Sequence, residues 1–174
     1  MVNKMATTQN GYDLYELLSA LQKCIRRGLE YDAVYFAVEL EEFNSTALWN
    51  RLKVIASEDI GCANPIMPIL IDILEKQYLK AKEKSDDSNK LFLTNAIVCL
   101  CRSPHSRITD DLYNVVKLEN KRLPIPDYAL DMHTYKGKSK GRGIEHFYSE
   151  GCKLENETLP NPYIERAKEL RKAK

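Results

Sequence analysis

Leu14, Leu17, Leu18, Leu21 and Ile25 recur at i, i+3, i+4, i+7 and i+11, one apolar stripe of a helix. Arg26 and Arg27 suit the negative end of its dipole, and Gly28 stops it. A second helix is predicted from about Tyr31 to Glu42. Ala33, Phe36, Ala37 and Leu40 form its main face, and Val34 and Val38 make the opposite side apolar too, so burial on more than one side is expected. Ser45 is a good N-cap for a third helix with Leu48, Leu52, Ile55 and Ala56 as its stripe, ending at Gly61. Asn64-Pro65 restarts the chain, and Ile66, Ile69, Leu70 and Ile73 carry a fourth helix to about Lys82. After a polar loop from Glu83 to Asn89, the stretch to Arg102 is apolar almost all round, as a central core helix would be. A sixth helix follows Ser103-Pro104, with Ile108, Leu112, Val115 and Val116 on one face.

Short turns between such helices predict antiparallel neighbours, so the fold class is all-α, stacked helical hairpins over 11–120. The style changes after Lys121. Two prolines extend Leu123 to Pro126, and residues 131–143 are polar, glycine-bearing and basic, a loop in expectation. A short helix is expected from Ile144 to Ser149, and a last one from Asn161-Pro162 to the C-terminus.

Composition narrows the class without naming a function. At 174 residues the chain fits one domain with an appended tail. A net charge of +1 argues against a strongly basic nucleic-acid coat protein but leaves room for a local basic patch. Residues 1–10 are polar and lack an apolar signal core, and no apolar run nears the ~18 residues of a membrane span. Five cysteines in an irregular, odd set read as reduced thiols. A cytoplasmic protein with a disordered lead over 1–10 and no membrane contact is the expectation.

Candidate chemistry is sparse. Glu58 and Asp59 lie at a helix C-terminus, where the dipole disfavours negative charge by roughly 0.3–1 kcal/mol each, so compensation by nearby donors is expected. Cys99, Cys101 and His105 lack the spacing of a structural zinc site, and the two cysteines read as buried core thiols, so no metal or cofactor is expected. Gly137-Lys138-Ser139 resembles the end of a phosphate-binding loop, but Met132 stands where that motif needs glycine. Lys136, Lys138, Lys140 and Arg142, with His133 nearby, alternate with small residues and could converge on phosphates. If all four cations met duplex phosphates, the log–log salt slope would be about −3.6. Asp131, His133 and Cys152 supply the residue types of a cysteine-nucleophile triad, which only geometry could make real.

The run from Asp13-Leu14 through Leu17 to Arg26, then Asp32-Ala33 and Tyr35, resembles the opening of the C-terminal domain of MgsA/RarA-type AAA+ ATPases, relatives of clamp loaders in replication-associated recombination. Arg51-Leu52, Ile55 to Gly61 and Ala63-Asn64-Pro65 resemble its most recognisable stretch, with Ser57, Glu58, Asp59, Gly61, Asn64 and Pro65 as signature positions. Asn95-Ala96-Ile97, Ser103-Pro104 and Ser106 fit as well. Ile125-Pro126 through Gly141-Arg142-Gly143 and His146-Phe147 fit more loosely. The likeness covers most of 11–150, leaving 151–174 as an extension. It implies a clamp-loader-collar-like helical domain that follows the ATPase core and mediates oligomerisation, commonly as tetramers. No Walker or arginine-finger segment is present in the chain, so ATP hydrolysis carries over to no residue here, and a free-standing or excised domain is expected.

Three functions follow as expectations. The first is a non-catalytic oligomerisation and partner-docking domain linked to DNA replication, recombination or repair, with itself, an AAA+ ATPase module or replication-fork proteins as partners. The second is weak nucleic-acid or anion binding through 136–142. The third is a small enzyme using Asp131, His133 and Cys152.

Overall fold

The computed structural model describes residues 7–84 and 87–173, and among them every regular element is helical. The chain divides into two compact units, Met1–Asn120 and Lys121–Lys174, the division falling where the sequence turns polar and proline-bearing. The break thus precedes 121–150, which the resemblance had grouped with the residues before it.

In the first unit, α1 (Leu14–Arg26) begins at Asp13, whose Oδ1 accepts from the amides of Tyr15 and Glu16. Gly28, at φ +66°, turns the chain into α2 (Glu30–Ile55), and Arg102 clasps Glu30 with two bonds of 2.6 and 3.0 Å. α2 kinks at Asn44, where φ is −157°, and Asn44 Oδ1 accepts from the amide of Ala47. The second and third predicted helices are therefore one kinked element, capped by Asn44 rather than Ser45. α3 (Met67–Glu83) and α4 (Ser88–Arg102) form a hairpin, and α5 (Ile108–Glu119) ends at Asn120 in the left-handed region. The expected disordered lead lies outside the described residues for 1–6. Residues 7–10 are ordered, with Thr7 bridged to Asp13 and Thr8 buried.

The core gathers the α1 stripe with Leu40, Leu48, Trp49, Leu52 and Ile55 of α2. Several expected faces turn out otherwise. α3 buries Met67, Ile71, Leu74 and Tyr78, whereas the predicted stripe of Ile66, Ile69 and Ile73 stands 63, 57 and 45% exposed. α3 is apolar on two sides, and spacing alone cannot choose between them. α3 also starts at Met67, because Asn64 is extended and its side chain bonds Ser103 instead of capping a helix. α4 is not fully enclosed, since Leu91 is 70% exposed. Val38 of α2 is likewise exposed. No helix of the described residues is long and apolar enough to cross a membrane.

The second unit holds a short 3₁₀ turn at Asp127–Ala129, α6 (Tyr135–Ser139), α7 (Ile144–His146) running into a π turn at Phe147–Gly151, and α8 (Ile164–Lys172). The basic stretch expected as a loop thus contains a helical turn. Arg171 lies over Phe147 and Tyr148, and Lys168 over Tyr148, which fastens α8 by cation–π contacts.

Candidate functional site

The signature stretch forms a π turn, Ala56–Ile60, at the end of α2. Asp59 within it is 1% exposed, and it is satisfied on every side. Its Oδ2 accepts from Gln22 Nε2 at 2.8 Å, and its Oδ1 from Arg26 Nε at 2.7 Å and Arg107 Nη1 at 3.0 Å. Glu58 Oε1 accepts from Arg26 Nη2 at 2.8 Å and from the same Arg107 Nη1 at 2.9 Å, and Gln22 Oε1 accepts from Arg51. The two acids that the helix dipole disfavours are compensated by two arginines from α1 and the α5 entry.

These bonds seat the chain before α5. The amide of Ser106 donates to the Asp59 carbonyl at 2.8 Å, and Asn64 Nδ2 donates to Ser103 Oγ at 3.2 Å. Arg107 also pairs with Asp110 in the first turn of α5. Gly61, at φ +46°, lies so close to Thr109 that a Cβ would stand 2.8 Å from its Oγ1. Glu58, Asp59, Gly61 and Asn64 therefore act together to fix one helix. Ser57 and Pro65 are exposed; Ser57 lines a shallow cavity of about 430 Å³ with Val54, Thr109 and Tyr113, and Pro65 makes no bond that accounts for its signature position.

The helix so fixed is turned inside out. Only Asp110 and Asn114 of α5 are partly covered. Ile108, Leu112, Val115, Val116 and Leu118 are 65, 61, 52, 65 and 78% exposed. The predicted apolar face exists, but the polar side of the helix meets the unit and the apolar side meets water. Exposed apolar side chains thus lie together along one side of α5.

In the second unit the four predicted cations separate into two pairs. Arg142 donates to the carbonyls of Asp127 at 2.6 Å and Leu130 at 2.9 Å and also pairs with the Asp127 carboxylate. Lys140 reaches Asp127 Oδ1 at 2.8 Å. These two are structural ties rather than open anion ligands. Lys136 and Lys138 point outward on α6. Lys140 and Arg142 hold the Asp127 carboxyl down at about 2, below its ordinary 3.8. A carboxyl depressed in the folded state contributes stability above its unfolded value and loses it as pH falls. The tie is thus expected to be whole above about pH 4 and to open as pH falls towards 2, read as broadening of the Lys140 and Arg142 side-chain NMR signals. Asp127→Asn should abolish that acid transition.

Asp131 and His133 do form a pair. His133 Nδ1 lies 3.1 Å from Asp131 Oδ2, the His133 amide donates to Asp131 Oδ1 at 2.9 Å, and the ring packs edge-on against Phe147. His133 holds the Asp131 carboxyl below its usual range. The thiol of Cys152 instead turns back to the carbonyl of Tyr148 at 3.7 Å. Among the described residues no hydrogen bond joins it to His133, the link a thiol nucleophile needs. Cys101 is buried, with burial first among the causes that push its thiol up to about 11, and Cys99 is half-buried against Asn95.

No family model matches the chain. It is similar to replication-associated recombination protein A of Bacillus subtilis, 34% identical over 161 residues that make up 85% of this chain and 36% of that protein. The protein of the same name from Haemophilus influenzae is 27% identical over 150 residues, 81% of this chain and 32% of its own. The chain thus spans about a third of the length of the curated relatives it matches.

Proposed function

Over most of its length the chain is homologous to replication-associated recombination protein A, consistent with the C-terminal domain of that family, and from this we propose that it is an assembly and docking domain serving DNA replication and recombination. The reading assigns it no catalysis. Its carrying observation is the outward apolar face of α5, locked in place by the signature residues. Two such faces packed together would cover ten aliphatic side chains, at roughly 1 kcal/mol each for their exposed parts. That is of the order of the association cost, about 4–15 kcal/mol.

Ile66, Ile69 and Ile73 on α3 form a second outward stripe. One self-complementary patch closes a dimer, and a dimer of dimers needs a second contact. The proposal is therefore a homotetramer through α5 and α3, with an AAA+ module or fork protein as the further partner. Sedimentation of the whole chain at tens of micromolar should give a species well above 20 kDa. Leu112→Asp with Val116→Asp should abolish association while changing monomer stability by less than about 0.5 kcal/mol, because both side chains already face water. A clean monomer for the unaltered chain removes the assembly reading.

A further inference from the structure

We propose that the 127–142 turn is a platform for single-stranded nucleic acid, with Tyr135 stacking on a base and Lys136 and Lys138 meeting the flanking phosphates. Charge is divided unevenly along the chain. Residues 121–174 contain twelve Lys and Arg against eight Asp and Glu, whereas residues 1–120 contain fourteen against seventeen. The near-neutral total hides a basic second unit, and a polyanion is drawn to that part of the chain.

Within that unit the turn is built from inside. Arg142, 17% exposed at its side chain, gathers the carbonyls of Asp127 and Leu130, and its own amide donates to Gly137 O. Thr134 Oγ1 accepts from the Gly137 amide, and Gly137 is buried against the backbone of Asp131. Four hydrogen bonds are spent on holding a surface whose own side chains face out. Tyr135 is 87% exposed, and Tyr128, on the 3₁₀ turn that Arg142 ties down, is 61% exposed. Tyr135 and Lys138 are three residues apart on α6 and share a face, and Lys136, exposed as well, follows Tyr135 in the same turn.

An open aromatic ring beside exposed cations fits an unpaired base better than a duplex. Every base has a face to stack on, and stacking with flanking phosphate contacts is the usual means of holding single strands without reading sequence. In a duplex the bases are already stacked on one another, and two cations alone would add little. A rigid display also spares the ordering cost that a loose basic loop would have to meet. DNA and RNA strands present the same ring face and phosphate, so the two should bind alike.

The test is fluorescence anisotropy of the full chain with labelled dT and rU oligonucleotides and a duplex over 50–200 mM salt. Single strands of both sugars should bind at least tenfold more tightly than the duplex. Tyr135→Ala should weaken binding about tenfold with its salt slope unchanged, and Tyr135→Phe should restore it. Lys136→Gln with Lys138→Gln should reduce the slope by about 1.4. Tyr135 and both lysines face water, so these variants leave the fold intact. Absence of binding at 50 mM salt, equal or tighter duplex binding, indifference to Tyr135→Ala, or a more than tenfold preference for either sugar would overturn the proposal.

Discussion

Asp59→Ala is expected to cost the first unit about 3 kcal/mol. Removing one member of a buried charge group strands its partners, and measured losses run to about 3–5 kcal/mol. Arg26 and Arg107 keep side-chain exposures of 32 and 42% and recover some hydration, which puts the loss at the lower end. Gln22 is buried and does not. Urea unfolding followed by Trp49 fluorescence is a direct readout, since Trp49 is the single tryptophan and is 1% exposed. Glu58→Gln should lose less than about 1 kcal/mol, because Glu58 is partly in water and Asp59 still holds both arginines. Hydrogen exchange should rise first in α5, whose entry hangs on Asp59 through Ser106 and Arg107. A loss below 1 kcal/mol for Asp59→Ala, or equal losses at the two acids, would contradict the view of Asp59 as the anchor of α5.

Gly137→Ala should be the most damaging small change in the second unit. An added Cβ would stand 1.8 Å from the Asp131 carbonyl oxygen, 2.5 Å from its carbon and 2.7 Å from the Leu130 carbonyl carbon. These are backbone atoms, so no rotamer relieves the overlap, and either α6 or the 130–131 peptide must move. Overpacking against a yielding side chain costs about 1–3 kcal/mol, and an unyielding backbone puts this case at the top of that range, about 3 kcal/mol. Loss of the Arg142 bonds to Asp127 and Leu130 should follow, seen as collapse of amide dispersion for 127–142 in NMR spectra. Gly141→Ala is the control, since nothing lies within 4 Å of its added Cβ, although its φ of +70° brings a smaller strain penalty. Equal spectra for the two variants would show that the close approach at Gly137 is not what shapes the turn.

Helix placement was legible from local pattern because stripe spacing, caps and Gly or Pro stops act within a few residues. The α1 stripe and the ends at Gly61 and Arg102 needed no tertiary information. The π turn at 56–60 and the start of α3 at Met67 were not legible, because Asn64 could cap a helix or bond Ser103 and only the folded chain offers the second choice. The family likeness was readable from the signature residues, yet their task was not: Asp59 and Arg107 are 48 residues apart. Likewise nothing in the alternation of Lys136, Lys138, Lys140 and Arg142 distinguished the two that bind Asp127 from the two that stay open.

Local periodicity thus settled that 108–119 is an amphipathic helix, since 3.6 residues per turn put Ile108, Leu112 and Val115 on one side whatever surrounds them. It could not say that this side faces water. Packing decided that, through a buried carboxylate that pulls Arg107, and with it the polar face of α5, against the unit. The preference of apolar side chains for the interior is a sum over the whole molecule. A single helix can be held against it when a charge network closed around one buried carboxylate, formed by residues distant in sequence, fixes its orientation.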